Sequence, residues 1–278
     1  MPELPEVEVL RRDLERDITG RHIKIVEVET PRSVRRHKNK KEFIDRLEGK
    51  KVVGVDRRGK YLLCRLDGGE VLVIHLGMSG QLRRAKTARE AKIKHTHVII
   101  GFQQGGQLRF IDPRTFGEMF VAETDAIDKI KELSHLGIDP YDHPISWDEF
   151  GALVVSRKAK LKPLLMDQKF IAGIGNMYSD EILWGAGLRW DRTSDSLQAQ
   201  EIRRLYRSLI EVLQEAVKFR GSTLSDGQYV DLFGQPGEYQ TYHNAYDREG
   251  KPCPRCRQPL VRERVASRST YFCASCQV

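Results

Sequence analysis

The chain has 278 residues, which is enough for one large domain or two ordinary ones and for a sizeable buried core. Lys and Arg total 47 against 39 Asp and Glu, so the formal net charge at pH 7 is +8. This balance favours a polyanionic partner, with nucleic acid ahead of an anionic membrane surface. The length excludes the small scaffolds that depend on disulfides for their stability.

No part of the sequence approaches the roughly 18 consecutive apolar residues that a membrane span requires. The opening segment MPELPEVE is acidic and lacks the apolar core of a secretory signal. We therefore expect a soluble, intracellular protein with no membrane partner.

The first predicted element is a helix close to the N-terminus. Pro5 suits a first helical position and Gly20 ends the pattern, and the apolar residues between them recur at helical spacing: Val7, Leu10, Leu14 and Ile18. This helix leaves Pro2 and Glu3 at the positive end of its dipole.

Removal of Met1 would expose a secondary amine on Pro2, and the helix dipole would disfavour the protonated form of that amine. Such an amine can attack a carbon next to oxygen and form a Schiff base, and Glu3 could donate a proton beside it. A Pro-Glu pair near a start codon is more often only the lead-in to a helix. The pair alone therefore leaves both interpretations open.

From Arg21 to about Val121 the apolar residues alternate or come in short runs between Gly and Asp turns. Short strands at a spacing of about 8–12 residues are typical of a β-sandwich. Cys64 lies in one of these runs, which indicates a buried core residue. His95 and His97 alternate as they would in a strand.

The period changes to that of a helix from about Ile145. The segment 196–219 places apolar residues on one helical face and ends before Gly221: Ile202, Leu205, Leu209, Val212, Leu213 and Ala216. The interval 139–144, rich in Pro and Asp, has the composition of a linker. The sequence thus predicts an α+β multidomain protein with strands first and helices second.

Four cysteines crowd the C-terminus in the pattern C-x2-C, 16 residues, C-x2-C: Cys253, Cys256, Cys273 and Cys276. This spacing is typical of a closed tetrahedral zinc site, so we expect one structural Zn²⁺ per chain. Two disulfides are the alternative, which a reducing cytosol disfavours. The residues between the pairs predict a hairpin, with Val261–Val265 as one strand and 266–269 as its tip. Its arginines indicate a nucleic-acid finger, while a charged ribbon that only caps a domain stays open.

Six segments resemble, in order, the bacterial formamidopyrimidine-DNA glycosylases. They are MPELPEVE (1–8), RRGKYLL (57–63), HLGMSG (75–80), DPRTFG (112–117), GIGNMY (173–178) and SRSTYFC (267–273). The match spans essentially the whole chain. Leu4 stands where relatives of the endonuclease VIII group typically have Gly, which favours the branch that excises oxidised purines.

The resemblance implies a catalytic N-terminal β-sandwich with an N-terminal helix over 1–138. A helix–two-turns–helix DNA-binding domain with a lesion-capping loop would follow over 139–242, and a zinc-finger hairpin over 243–278. The implied partner is double-stranded DNA with oxidised bases, held between the two halves with the damaged base flipped out of the stack. A monomer in the bacterial cytoplasm, associated with the nucleoid through DNA, is expected.

The resemblance also implies an activity, a bifunctional glycosylase and abasic-site lyase that uses a Schiff base on the N-terminal proline and β,δ-elimination. Pro2 would be the nucleophile and Glu3 the general acid. Lys60 would reach the active centre from a β-turn to serve elimination. Arg268, at the finger tip, would hold the flanking phosphates and assist the second elimination.

The same family match implies the residues that bind DNA. Those expected to fill the hole left by the flipped base are Met78, Arg114 and Phe116. Those expected on phosphates, besides Arg114, are His95, Arg157, Lys162 and Asn176. The alignment is ambiguous between Ser156 and Arg157, and Asn176 is expected as a helix cap.

Two features depart from the family pattern. Arg220 stands before Gly221 where a second Gly is usual, which would stiffen the capping loop or add a phosphate contact. The run 32–41 holds six cations and no acid, and either DNA contact or a solvated loop would account for it. Rival functions are excision of oxidised pyrimidines, a zinc-ribbon DNA-binding protein without activity, and a protein-interaction domain.

Overall fold

The structure is a computed structural model that describes residues 1–265 and 267–278. It divides into two compact units. The N-terminal unit contains Met1–Ser134 and Arg220–Glu238, and the C-terminal unit contains His135–Phe219 and Tyr239–Val278. The predicted segments 1–138, 139–242 and 243–278 differ from this grouping, because the segment expected to cap the lesion folds with the N-terminal unit.

The N-terminal unit contains two four-stranded antiparallel sheets, as the alternating pattern predicts. One sheet has the order β1-β6-β7-β5, with β1 at Ile23–Val28, β5 at Gln81–Ala85, β6 at Thr96–Phe102 and β7 at Gln107–Ile111. The other has the order β2-β3-β4-β8, with β2 at Val52–Arg58, β3 at Tyr61–Leu66, β4 at Glu70–His75 and β8 at Glu118–Glu123. Apolar residues from both sheets share one core, which includes Val26, Val98, Val55 and Leu62. Two sheets around one core form the predicted β-sandwich.

Two helices pack against this sandwich, α1 at Leu4–Ile18 and α2 at Lys40–Leu47, and a short helix α3 at Lys131–Ser134 follows β8. The apolar stripe predicted for α1 is buried, and its residues join the same core: Val7, Leu10, Leu14 and Ile18. The helix begins one residue earlier than predicted, so Pro5 is its second residue. Cys64 is fully buried, and burial raises the pKa of its thiol to about 12, which makes it a core residue.

The C-terminal unit is mainly helical. Its helices are α4 at Trp147–Val155, α5 at Leu161–Met166, α6 at Asn176–Ala186 and α7 at Ala199–Lys218. Five of the six residues predicted on the buried face of α7 are buried, and Val212 is partly buried. Among the described residues, no helix is both long and apolar enough to cross a membrane.

A hairpin of β9 at Val261–Val265 and β10 at Arg268–Phe272 completes the C-terminal unit. Val265 pairs directly with Arg268, so the tip is shorter than the predicted 266–269 and Arg268 already belongs to a strand. Ala266 lies outside the described residues. The hairpin and the cysteines share a small core with α6 that includes Trp184, Leu260 and Tyr271.

Candidate active site

The chain start is fixed against α1. Pro2 and Glu3 are buried, and Glu3 is the residue that precedes the first turn of α1. The Glu6 carboxylate accepts a hydrogen bond from the Glu3 backbone N–H at 2.9 Å and another from the Ser222 N–H at 2.8 Å. One buried carboxylate therefore connects the predicted nucleophile segment to the loop that follows α7. Met1 is half exposed at 49%.

Lys60 lies in the two-residue turn between β2 and β3, as predicted, and is only 8% exposed. Gly59 precedes it with a φ of 54°, a conformation that favours glycine. The Arg57 side chain donates to the Gly59 carbonyl at 3.1 Å and to Glu8 of α1 at 3.2 Å. Arg57, through this buried ion pair, thus links the turn that carries Lys60 to the helix that follows Pro2.

His75, at the end of β4, belongs to a quoted motif but was given no role by the sequence. Its ring stacks on Tyr61 with centroids 4.5 Å apart. Burial lowers the pKa of His75 to about 4, and the nearby cations Lys60, Arg35 and Arg36 contribute, while Glu118 opposes them. His75 is therefore neutral near pH 7 and sits within the electrostatic reach of Lys60.

The residues predicted to fill the hole in DNA lie on two loops of the N-terminal unit. Met78 follows β4 and is 41% exposed, and Phe116 follows β7 and is 45% exposed. The Arg114 guanidinium lies 5.0 Å from the Phe116 ring centroid. Exposed apolar tips beside an exposed arginine are the arrangement that an intercalating wedge requires.

The two loops are joined at their bases by Asp112, which is fully buried. Its carboxylate accepts from the Ser79 hydroxyl at 2.6 Å and from the Gly117 N–H at 2.7 Å. Gly77 is required by this contact, because a Cβ there would lie 2.6 Å from the Gly117 nitrogen. Sequence reasoning missed Asp112, although it opens the DPRTFG motif.

The structure corrects the prediction that His95 and His97 alternate in a strand. Strand β6 begins at Thr96, and His95 precedes it with a φ of 66° and an exposed side chain. His97 is buried, with its ring nitrogens 2.8 Å from the Thr30 hydroxyl and 2.8 Å from the Asp112 carbonyl oxygen. Of the two histidines, only His95 has an exposed side chain.

Lys162, which the family match places on a phosphate, is buried in the structure. It is 2% exposed, and its ammonium donates to Asp180 at 2.7 Å, to the Thr270 hydroxyl at 2.9 Å and to the Ser269 carbonyl at 3.2 Å. Burial raises the pKa of Asp180 to about 7, although the Lys162 charge opposes the rise. These contacts make Lys162 a support for β10 rather than a surface cation.

Asn176 is the first residue of α6, and Gly175 occupies the cap position, so the predicted capping role for Asn176 is wrong. Its side-chain amide donates instead to the Ser269 carbonyl at 3.0 Å. Lys162 binds the same carbonyl oxygen. The C-terminal unit therefore brings Lys162 and Asn176 to the residue beside Arg268, which is itself exposed.

Arg157 is the remaining predicted DNA-binding residue. It is exposed two residues beyond the end of α4, and its guanidinium lies 5.8 Å from the Phe170 ring centroid. Because an exposed guanidinium near the end of a helix can reach a phosphate, its position is compatible with the expected contact. The DNA contact itself stays a prediction.

The four terminal cysteines meet in one cluster, with all four sulfurs within 4.8 Å of one another. Two Sγ–Sγ distances are 4.0 Å, between Cys253 and Cys276, and 3.5 Å, between Cys256 and Cys273. Tetrahedral coordination at ~2.3 Å per Zn–S bond requires sulfurs about 3.8 Å apart. The cluster therefore fits one zinc ion, and four protein ligands leave no open position, which makes the site structural.

Sequence reasoning did not find the two side chains, one in α6 and one in the finger, that hold the finger to α6. Glu181 is buried and accepts from the backbone N–H groups of Ala245 and Tyr246 at 2.9 and 2.7 Å. Arg255, between the first two cysteines, donates to the Trp184 carbonyl at 2.7 Å and stacks 4.1 Å from its ring centroid. The finger is thereby fixed to the end of α6.

The departure at Arg220 has a structural explanation. Its guanidinium pairs with Asp13 of α1 at 2.5 Å and with Asp231 at 2.7 Å. Arg220 has a φ of 59°, a conformation in which glycine would be unstrained and arginine is not. The ion pairs agree with the stiffening interpretation of this position, because they tie the start of the 220–238 segment both to α1 and to Asp231 further along the segment.

Comparison with known proteins places these features in a family. Residues 1–119 match the model of the formamidopyrimidine-DNA glycosylase N-terminal domain, residues 136–228 match that of its H2TH domain, and residues 250–278 match the zinc finger found in FPG and IleRS. Together the three models cover most of the chain.

Curated relatives and solved structures indicate the same family as these models. The formamidopyrimidine-DNA glycosylases of Pelotomaculum thermopropionicum and Heliobacterium modesticaldum are 42% and 44% identical, and the alignments cover 100% of this chain and 99% and 100% of theirs. The MutM (Fpg) protein of Thermus thermophilus superposes with a TM-score of 0.89 at 41% identity, over 99% of this chain and 98% of that one. Lactococcus lactis Fpg, in complex with N7-benzyl-Fapy-dG DNA, gives a TM-score of 0.91 at 35% identity over 99% of both chains. The chain belongs to the formamidopyrimidine-DNA glycosylase family, which confirms the resemblance that its motifs predicted.

Proposed function

We propose that this chain is a bifunctional base-excision repair enzyme that removes 8-oxoguanine and formamidopyrimidines from duplex DNA and then cuts the strand. Family membership supports the glycosylase activity, and solved Lactococcus lactis relatives hold DNA with Fapy-dG or an abasic site. The observation that carries the proposal is the buried Pro2-Glu3 pair at the positive end of α1. The enzyme is expected to act as a monomer on double-stranded DNA in the bacterial cytoplasm, at the nucleoid.

Base removal begins with the damaged nucleotide outside the stack, because the sugar carbon cannot be reached while its base is stacked. Met78 and Phe116 fill the vacated space, and Arg114 meets the base left on the opposite strand. His95, Arg157 and Asn176 are assigned to phosphates. Lys162 acts indirectly, through the Ser269 carbonyl that it binds.

The Pro2 nitrogen, freed of Met1, forms a bond to C1′ while the bond from C1′ to the base breaks. Glu3 donates a proton to the departing base or to the opening sugar ring, so that neither leaves as an anion. The Pro2 nitrogen then loses its proton, and the C1′–O4′ bond breaks as O4′ takes up a proton. The product is an iminium between Pro2 and the ring-opened sugar. The positive end of the α1 dipole keeps the amine unprotonated before attack.

Strand cleavage follows from the iminium, which acidifies the C2′ hydrogen. Loss of that proton expels the 3′ phosphate, and a second elimination expels the 5′ phosphate. Lys60 serves the first step and Arg268 the second, where its charge stabilises the leaving phosphate. The structural zinc keeps the β9–β10 hairpin folded, and no bond-breaking step uses it.

The decisive experiment traps the iminium. Borohydride should reduce it to a stable protein–DNA adduct on an 8-oxoguanine:cytosine duplex, with the free N-terminal proline checked by mass spectrometry. Glu3→Gln protein and protein that retains Met1 should give no adduct, while the matched variant Pro5→Ala should still give one. Full activity of either blocked protein would refute the assignment of Pro2 and Glu3.

A second substrate class has one supporting observation. A Lactococcus lactis Fpg structure contains DNA with an oxidised pyrimidine. Cleavage of 8-oxoguanine and thymine-glycol duplexes at equal enzyme concentration tests which lesion class is the better substrate. We expect the duplex with the purine lesion to be cut faster. A binding protein without activity would give no nicked product from either duplex.

A further inference from the structure

The basic run 32–41 has no role in the chemistry above, and the structure shows where half of its charge goes. Its three arginines, Arg32, Arg35 and Arg36, lie at or beside a short 3-10 turn at Pro31–Val34 and contact residues 115–118. Its three lysines are exposed and lie in or just before α2: Lys38, Lys40 and Lys41. The arginines and lysines of this run therefore have different environments.

Arg32 and Arg35 donate to three consecutive backbone carbonyls of the loop that carries Arg114 and Phe116. Arg32 Nε donates to the Thr115 oxygen at 3.2 Å. Arg35 Nη1 donates to the Gly117 oxygen at 2.9 Å and Arg35 Nη2 approaches the Phe116 oxygen at 3.4 Å. Hydrogen bonds from a guanidinium are stronger than those from neutral donors, so this set holds the loop from its outer side.

Glu118 fixes the arginines in turn. Its carboxylate is 7% exposed and pairs with Arg35 at 3.1 Å and with Arg36 at 2.5 Å. Arg36 also stacks 4.1 Å from the Phe120 ring centroid and pairs with Glu132 at 3.1 Å. The guanidinium of Arg35 is therefore held at the base of the loop and is not free to follow a phosphate.

The loop itself needs support, because Thr115 has a φ of 54°. A β-branched residue in this left-handed region is strained, at a cost of order 1–3 kcal/mol, and persists only where its surroundings impose it. Asp112 binds the loop amides from one side, and Arg32 binds the Thr115 carbonyl from the other. The strained residue lies between the two side chains that carry the wedge, Arg114 and Phe116.

We propose that Arg32 and Arg35 form an arginine clamp that positions Arg114 against the base opposite the lesion and so sets the preference for that base. They are positioning residues, since they act through the loop and touch neither the damaged base nor the reacting atoms. The proposal rests on the function proposed above and identifies what controls its specificity.

The chemistry of the opposite base makes the position of Arg114 decisive. A guanidinium has donors only. Cytosine offers two acceptors on its pairing edge, whereas adenine offers one acceptor beside an amino group that repels a second donor. A clamped Arg114 can exploit this difference, and a loosened loop lets the arginine turn away from the amino group of adenine.

The test is single-turnover excision of 8-oxoguanine opposite cytosine and opposite adenine by Arg35→Ala, Arg35→Lys and Arg32→Ala proteins. The ratio of the two rates should fall about tenfold in Arg35→Ala, which corresponds to ~1.4 kcal/mol of lost discrimination. Arg35→Lys should recover part of this discrimination. In an Arg114→Ala background, Arg35→Ala should cause no further loss of discrimination. Unchanged discrimination in Arg35→Ala, or full additivity with Arg114→Ala, would overturn the clamp.

The matched control is the double variant Lys40→Ala/Lys41→Ala from the same run. Removal of a cation that contacts a phosphate reduces the slope of log DNA affinity against log salt concentration by about one unit. Arg35→Ala should leave that slope unchanged, and a slope reduced with discrimination intact would assign the residue to DNA binding instead. Thermal melting of each variant separates these effects from unfolding. If the unchanged protein does not excise 8-oxoguanine, the proposed function fails; if it does and the variants discriminate equally, only the clamp fails.

Discussion

The buried ion pair between Glu8 and Arg57 gives the sharpest prediction for stability. Their side chains are 1% and 0% exposed, and the Arg57 guanidinium also donates to the Gly59 carbonyl. Arg57→Met keeps the apolar part of the side chain and leaves the Glu8 carboxylate buried without this partner. Breaking a buried pair by removing one partner costs about 3–5 kcal/mol.

Two other arginines limit this loss. Arg11 and Arg12 also bind the Glu8 carboxylate, at 3.0 and 2.7 Å, so we expect a value of about 3 kcal/mol, the low end of the range. Removal of both charges in Glu8→Met/Arg57→Met should recover at least ~1 kcal/mol, because no buried charge is then left without its partner. Urea unfolding of the single and double variants measures both values.

Arg58 provides a matched control, because it is the next residue and pairs with Asp128 at the surface, where the two side chains are 43% and 77% exposed. Arg58→Met should cost less than about 1 kcal/mol. In activity, Arg57→Met should lower nicked product relative to trapped adduct, since the Lys60 turn loses its anchor while Pro2 does not. A cost below about 1 kcal/mol for Arg57→Met, or a double variant as unstable as the sum of the singles, would refute the reasoning.

Three further predictions concern the capping segment, pH and the metal. Arg220→Ala should cost about 2 kcal/mol in urea unfolding, and Arg220→Gly about 1 kcal/mol less, because glycine relieves the positive φ while both lose the ion pairs. His75 has its pKa lowered from 6.5 to about 4 by burial. As pH falls from 6.5 to 4, the unfolded state therefore binds a proton that the folded state does not. The free energy of unfolding should drop by at most about 1.4 kcal/mol per pH unit, and His75→Gln should flatten this slope. Metal analysis should find one zinc per chain, and Cys256→Ser should lose both the zinc and DNA affinity, whereas Cys64→Ala should keep them.

Structure was predicted correctly from the sequence where it depends on a pattern among residues close together in the chain. The apolar stripe of α1 and the alternating runs of the sandwich depend on residues a few positions apart, and the folded chain buries them as predicted. The two C-x2-C pairs likewise each depend on one turn. Family motifs added the turn that carries Lys60 and the loops that carry Met78 and Arg114, because those loops are short.

Contacts between distant residues could not be read from such patterns. The sequence presents Lys162 only as a cation expected on a phosphate, whereas in the structure it is buried against Asp180 and a strand more than 100 residues away. Arg220 reads as a departure from glycine, and its partner Asp13 lies 207 positions away. His95 and His97 alternate as in a strand, but β6 begins only at Thr96, and His95 precedes it with a positive φ and an exposed side chain.

The largest set of such contacts lies on α1. Three of its acids, Glu6, Glu8 and Asp13, are at most 1% exposed. Each binds a different segment: the backbone of Ser222, the guanidinium of Arg57 and the guanidinium of Arg220.

Burial of three carboxylates on one helix is unfavourable unless each is paired, so stability alone does not explain why the helix carries them. Their partners give the explanation, because two belong to the segment that follows α7 and the third, Arg57 of β2, also binds the turn that carries Lys60. The helix that follows Pro2 therefore also fixes the turn that carries Lys60 and the segment 220–238. Much of the basic charge that first indicated a polyanion is likewise used inside the protein, so the number of cations that contact DNA must be well below the number in the sequence.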